Sequence, residues 1–132
     1  MIMLLSIAIG GAIGAVSRYG VSLAITGLYG AGFQPLATLM VNAVGSGLMG
    51  LCYGLLTATA IGGGISDPMR GAVMVGFLGA LTTFSSFALD AVVLFQKGQM
   101  GLALGYVLAS VFVSILCFVM MLFIVKTMAT GQ

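Results

Sequence analysis

The chain has 132 residues, 61% of them hydrophobic and 5% charged, with a net charge of +2. A soluble domain carries about a quarter charged residues, so this composition, with its mean hydropathy of +1.30, excludes a water-soluble globule and calls for lipid. Histidine is absent and Asp67 and Asp90 are the only carboxylates, which excludes most metal sites and general acid/base pairs; the weak positive charge, without a basic stripe interleaved with aromatics, excludes a nucleic-acid partner.

A membrane span needs about 20 mostly apolar residues. The six charged residues, Arg18, Asp67, Arg70, Asp90, Lys97 and Lys126, divide the chain into spans expected at about 2–27, 34–60, 69–95 and 99–126. Met1-Ile2-Met3-Leu4-Leu5 lacks the basic region of a secretory signal and reads as the start of the first helix. Gly27 to Gly32 reads as a loop, and Pro35 suits the first turn of the second helix. Gly62-Gly63-Gly64 and Asp67-Pro68 read as a second loop, and Lys97-Gly98-Gln99 as a short turn. These runs are too long and too uniformly apolar for barrel strands. The expected fold is a single all-α membrane domain over residues 1–132.

Gly10/Gly14, Gly50/Gly54 and Gly101/Gly105 have the spacing that lets membrane helices approach closely. Cys52 and Cys117 lie in apolar runs and read as small packing residues. An even number of spans puts both termini and the loop near 61–68 on one side with Arg70 and Lys126, against Lys97 and Arg18 on the other. Two cations face two, so the usual bias that fixes topology is missing. Such a chain can insert both ways, and opposite copies can pair about an axis in the membrane plane.

Polar residues at membrane depth carry the functional information. Thr38, Asn42 and Ser46 share one face of the second helix at i, i+4, i+8, and Tyr106, Ser110 and Ser114 do the same on the fourth. Thr82, Thr83, Ser85 and Ser86 lie mid-way along the third, punctuated by Phe84 and Phe87. Any one of the hydroxyls either bonds back to its own helix or joins a polar path. Asn42 differs, because an amide cannot satisfy all its groups on its own helix. The run from Gly76 to Phe84 mixes glycines with threonines where a helix can break and expose carbonyls to a cation. Phe84 and Phe87, at i, i+3, either pack or turn electropositive ring edges toward a small anion. Arg18 either draws anions toward a vestibule or snorkels to the headgroups.

Three segments together resemble the Fluc (CrcB-type) fluoride channel family: Gly10-Gly11-Ala12-Ile13-Gly14-Ala15-Val16-Ser17-Arg18, then Thr38-Leu39-Met40-Val41-Asn42-Ala43-Val44-Gly45, then Gly76 to Phe87 reading GFLGALTTFSSF. The resemblance covers nearly the whole chain. It implies an inverted, dual-topology homodimer in the bacterial inner membrane, with the third helix broken near its middle and two parallel fluoride pores. By that likeness Phe84 and Phe87 form an aromatic box and Asn42 is a donor beside the pore. Thr38, Ser85, Ser86, Ser110 and Ser114 form a polar track with Tyr106 near it, and Arg18 sits at the vestibule. Backbone carbonyls of Gly79 and Thr82 from both copies hold a structural sodium ion. Ala37 and Ala80 stand where the family often has glycine, Ser86 where it has threonine, and Asp90 where many relatives carry glutamate.

Fluoride is small and strongly hydrated, so a pore for it must replace water with closely placed donors. The implied function is passive, fluoride-selective export. A proton-coupled multidrug exporter of four spans is the alternative; it needs an intramembrane carboxylate, for which Asp90 is the sole candidate. A scaffold subunit would explain the glycines but not the polar stripes, and no nucleophile–base constellation suggests an enzyme.

Overall fold

The computed structural model describes residues 1–58 and 66–130. Helix α1 covers Ile2–Tyr29, a single 3₁₀ turn Ala31–Phe33 follows, and α2 covers Gln34–Ala58. Helix α3 begins as a regular turn at Asp67–Arg70, widens into a π-helical stretch at Gly71–Leu78, and ends with Gly79–Leu81. Helix α4 covers Phe84–Gln96 and α5 covers Met100–Thr130. With α3 and α4 taken as one interrupted crossing, four segments among the described residues are long and apolar enough to cross a membrane.

The expected spans stand with small shifts, each with a local cause. Helix α1 runs through Gly27 to Tyr29, because the chain reverses only at Gly30, whose φ of 95° requires glycine. Asp67 and Pro68, expected in a loop, instead form the first turn of α3, where proline's missing N–H costs nothing. The turn between α4 and α5 falls where expected: Gly98 takes φ 74°, and Gln99 N–H donates to Leu94 O at 3.1 Å. The Gly62-Gly63-Gly64 loop and the last two positions of the expected second span lie outside the described residues.

Glycine sets the close contacts between helices. Helix α1 packs on the π-helical stretch so tightly that Ala72 O and Phe77 O occupy the places where side chains at Gly10 and Gly14 would sit. Reciprocally, a side chain at Gly76 would meet Ile7 O. Gly50 and Gly54 receive Phe118 O and the Val125 side chain of α5 in the same way. Gly101 and Gly105 differ: among the described residues nothing lies within 4 Å of where their side chains would sit.

Two small apolar clusters fill the interior, Val41 with Leu78 and Leu81, and Leu94 with Ala103 and Tyr106. Cys52 packs against the first cluster, and both cysteines are free thiols. The rest of the apolar surface faces outward, with Ile9, Ile13 and Val16 on α1 and Phe112, Ile115 and Phe123 on α5 all exposed. In water that exposure would be ruinous; against acyl chains it is the ordinary condition of a membrane helix.

Valine at Gly10 or Gly14 should force α1 off α3, at a cost of about 1–3 kcal/mol each. Monodisperse protein recovered after detergent extraction should fall for both, whereas Gly20→Ala, which meets open space, should leave recovery unchanged.

Candidate functional site

The third crossing is interrupted at Thr82 and Thr83, both extended, with ψ 154° at Thr82 and φ −152°, ψ 123° at Thr83. An interruption in hydrocarbon frees backbone groups that must find partners. The amide of Asn42 supplies them: Thr83 N–H donates to Asn42 Oδ1 at 2.7 Å, and Asn42 Nδ2 donates to Thr83 O at 3.0 Å. The helix then restarts with Thr83 as its N-cap, its hydroxyl accepting Ser86 N–H at 3.2 Å. The same hydroxyl donates to Ser86 Oγ at 3.1 Å and lies 3.3 Å from Ser85 Oγ. Asn42 therefore has a structural duty that the sequence reading did not assign, beside the donor role that it did.

The interruption opens on two cavities. The larger, about 440 Å³, is an open groove lined by Asn42, Ser46, Gly79, Thr82, Thr83, Phe84, Phe87, Ser110 and Ser114, with no charged side chain. Phe84 is 80% exposed and its ring centroid lies 5.5 Å from that of Phe87, at 48°. Across the groove, Ser110 is 4% exposed and its Oγ has no hydrogen-bond partner. A buried hydroxyl without a close protein partner is rare, and this one borders the groove.

The smaller cavity, about 230 Å³, lies between α1, α2 and the start of α4, and is lined by Arg18, Tyr19, Ser22, Gln34, Thr38, Thr83 and Ser86 among others. Thr83 borders both cavities and so forms the partition between them.

The expected site residues are thus divided. Asn42, Phe84, Phe87, Ser110 and Ser114 gather at the groove, whereas Arg18, Thr38 and Ser86 line the second cavity and Ser85 borders neither. Tyr106 stands behind the groove: its ring lies 5.5 Å from Phe87, and its hydroxyl reaches Asp90 Oδ2 at 3.4 Å. Thr38, 3% exposed, donates to the same carboxyl oxygen at 2.6 Å. Asp90 is itself buried, so α2, α4 and α5 are tied by a carboxyl that the sequence left without a role. The carbonyls of Gly79 and Thr82 stand at the interruption, and Thr83 N–H, which would have bonded Gly79 O in a continuous helix, is taken by Asn42. No group of three or more His, Cys, Asp or Glu that could hold a metal occurs among the described residues. A monovalent cation at the interruption would meet neutral carbonyl oxygens, a donor set that suits it.

Ser46 was visible as the next step of the Thr38–Asn42 stripe and does border the groove. Gln34 was not singled out, although it stands four residues before Thr38 on the same face; extending the stripe by one turn would have found it.

A family model described as "CrcB-like protein, Camphor Resistance (CrcB)" matches residues 5–122. The chain belongs to the CrcB family. Among its relatives, the protein named fluoride-specific ion channel FluC from Aeromonas salmonicida is 48% identical over 114 residues, covering 81% of this chain and 88% of the relative. The FluC from Agrobacterium fabrum is 49% identical over 115 residues, covering 87% and 89%. The FluC from Thermus thermophilus is 43% identical over 112 residues, covering 85% and 84%. The family is one of membrane ion channels and not of enzymes, and the exporter alternative finds no support in it. As a CrcB-family protein with four membrane-length segments, the chain is a multi-pass protein of a bacterial membrane.

Replacing Asn42 by leucine removes both bonds that hold the interruption. Thermal stability of the detergent-solubilised protein should fall by about 1–3 kcal/mol, the cost of leaving a buried polar group unpaired. Ser46→Ala, which removes a hydroxyl that no such bond depends on, should stay near wild type.

Proposed function

We propose that this protein is a fluoride-selective channel that passively lowers cytoplasmic fluoride, working as an antiparallel homodimer with two pores in the bacterial inner membrane. What carries the reading is the groove at the helix interruption. It is uncharged, it joins the Phe84–Phe87 pair to the unpartnered hydroxyl of Ser110, and it belongs to a chain closely similar to named fluoride channels.

Fluoride surrenders its water only to donors that approach closely. Each Nδ2 carries two hydrogens, and Thr83 O takes only one from Asn42, which leaves the second as a donor at the groove. Ser110 and Ser114 add hydroxyl protons from α5, and the edges of Phe84 and Phe87 offer weakly positive C–H groups. None carries a formal charge, so the anion is held well enough to enter and weakly enough to leave. Arg18 at the second cavity gathers anions from the aqueous side. Flow follows the membrane potential, which drives an anion out of a negative interior at about 2.3 kcal/mol per charge per 100 mV.

The groove of one copy is open, and Phe84 and Gly79 are exposed at its mouth. A second, inverted copy would complete it, in keeping with the balanced cations at the two membrane faces. The carbonyls of Gly79 and Thr82 from both copies would then hold a sodium ion, whose charge would tie the two interruptions together.

Purified protein in potassium-loaded liposomes should release fluoride rapidly on addition of a potassium ionophore, and chloride hardly at all. Phe84→Ile and Phe87→Ile should each cut fluoride release by roughly tenfold or more, the scale of losing a specific contact to a charged partner, while the dimer persists on size exclusion. Release no faster than from protein-free liposomes would end the channel reading.

A further inference from the structure

The second cavity contains a side-chain pair that no stripe of the sequence had joined. Ser22 of α1 donates its hydroxyl to Gln34 Oε1 at the head of α2, at 2.6 Å. In that arrangement the hydroxyl sits on the oxygen end of the amide. The oxygen is occupied by Ser22, and Nε2, with two hydrogens and no partner among the described residues, is left as the free end of the side chain. A primary amide that can turn either way offers an anion an acceptor as readily as a donor. One whose oxygen already holds a neighbouring hydroxyl turns mainly its N–H end outward.

The rest of the cavity has the same polarity. Arg18 has no hydrogen-bonded or ionic partner among the described residues, so its charge is uncompensated there. Thr38 is the exception, since its proton goes to Asp90 and only its lone pairs remain for the cavity. Ser86 accepts the Thr83 proton, which leaves its own hydrogen free to point elsewhere. Donors therefore outnumber acceptors around a space of about 230 Å³, room for an anion that still carries several waters. The carboxyl that would have opposed this, Asp90, is held by Thr38 and Tyr106.

We infer that Ser22 and Gln34 act as an orienting pair for anion capture: the Ser22 hydroxyl locks the Gln34 amide so that it presents N–H groups to a partly hydrated halide beside Arg18, before that anion passes Thr83 into the groove. Gln34 is the contacting residue and Ser22 the positioning residue. The assignment rests on the channel reading, and extends it to a specific donor at the entrance.

Two substitutions separate this role from a mere tie between α1 and α2. Gln34→Glu keeps an oxygen to accept the Ser22 hydroxyl but removes both N–H donors, so helix contact survives while anion capture is lost. Fluoride release from liposomes should fall roughly tenfold or more, as expected when a hydrogen bond to a charged partner is removed. Ser22→Ala leaves the amide in place but free to turn; the fluoride concentration for half-maximal flux should rise severalfold, and Ser22→Thr, which keeps the hydroxyl, should restore it. A purely structural tie predicts instead a Ser22→Ala protein that melts earlier with an unchanged half-maximal concentration; a Gln34→Glu flux near wild type would likewise exclude the amide as a donor. Either of those results overturns the pair's role in capture. Should Gln34→Glu fail to assemble, the Ser22 series decides alone. Wild-type protein that conducts no fluoride would instead strike at the channel reading.

Discussion

The structure depends on one side-chain amide. A helix interrupted in the middle of a membrane leaves N–H and C=O groups without partners, and hydrocarbon offers none. Asn42 meets both demands at a single residue, accepting from Thr83 N–H and donating to Thr83 O. An aspartate could accept but not donate; a leucine could do neither. With Thr83 held, its hydroxyl can cap α4, and the first turn of α4 is where Phe84 and Phe87 sit. The positions of both rings, and of the donors facing them, follow from that clamp.

Helix α2 is the spine on which the polar groups are arranged. Gln34, Thr38, Asn42 and Ser46 recur every four residues along one face, and each meets a different neighbour. Gln34 joins α1 through Ser22, Thr38 joins α4 through Asp90, Asn42 joins the interruption, and Ser46 borders the groove. Three of the four thus spend part of their hydrogen-bonding capacity on architecture. What remains after that accounting is largely donor capacity: the second hydrogen of the Asn42 amide, both hydrogens of the Gln34 amide, and the hydroxyls of Ser86 and Ser110. Membrane helices usually bury hydroxyls as neutral glue; here the amide hydrogens weight the surplus toward donors, which suits an anion.

Much of this is legible in the sequence. Spans, turns and the interrupted third crossing follow from hydropathy and from glycines and threonines between Gly76 and Phe84. The close pairs at Gly10/Gly14 and Gly50/Gly54 follow from spacing. Spacing could not tell those pairs from Gly101/Gly105, because the pattern reports what a helix permits and not which neighbour arrives. The π-helical widening of α3 was likewise invisible, since it arises where α1 presses its glycines onto Ala72 and Phe77, a contact between residues more than sixty positions apart. Tyr106 was aligned with Ser110 and Ser114 by periodicity, yet its longer side chain carries the hydroxyl away from the groove to Asp90. Helical spacing fixes the direction of a Cβ, and the polar atom of a large side chain lies well beyond it.

A channel must bind its ion without keeping it, and the distribution of charge along this chain bears on how. The one carboxyl at membrane depth is enclosed by two hydroxyls, where it repels an anion less than a bare carboxylate would. The Arg18 guanidinium, without a partner among the described residues, lines the second cavity and not the groove. An anion proposed to travel this route would feel full positive charge only where it still holds water, and neutral dipoles where it has shed it. Reversing that order would place a bare cation against a bare fluoride in a medium of low dielectric, where attraction between unit charges grows severalfold over its value in water. Such a site would bind and not conduct. On the proposed function, neutral donors at the groove, with the charge set back at the second cavity, are the arrangement that lets capture and release proceed along one path.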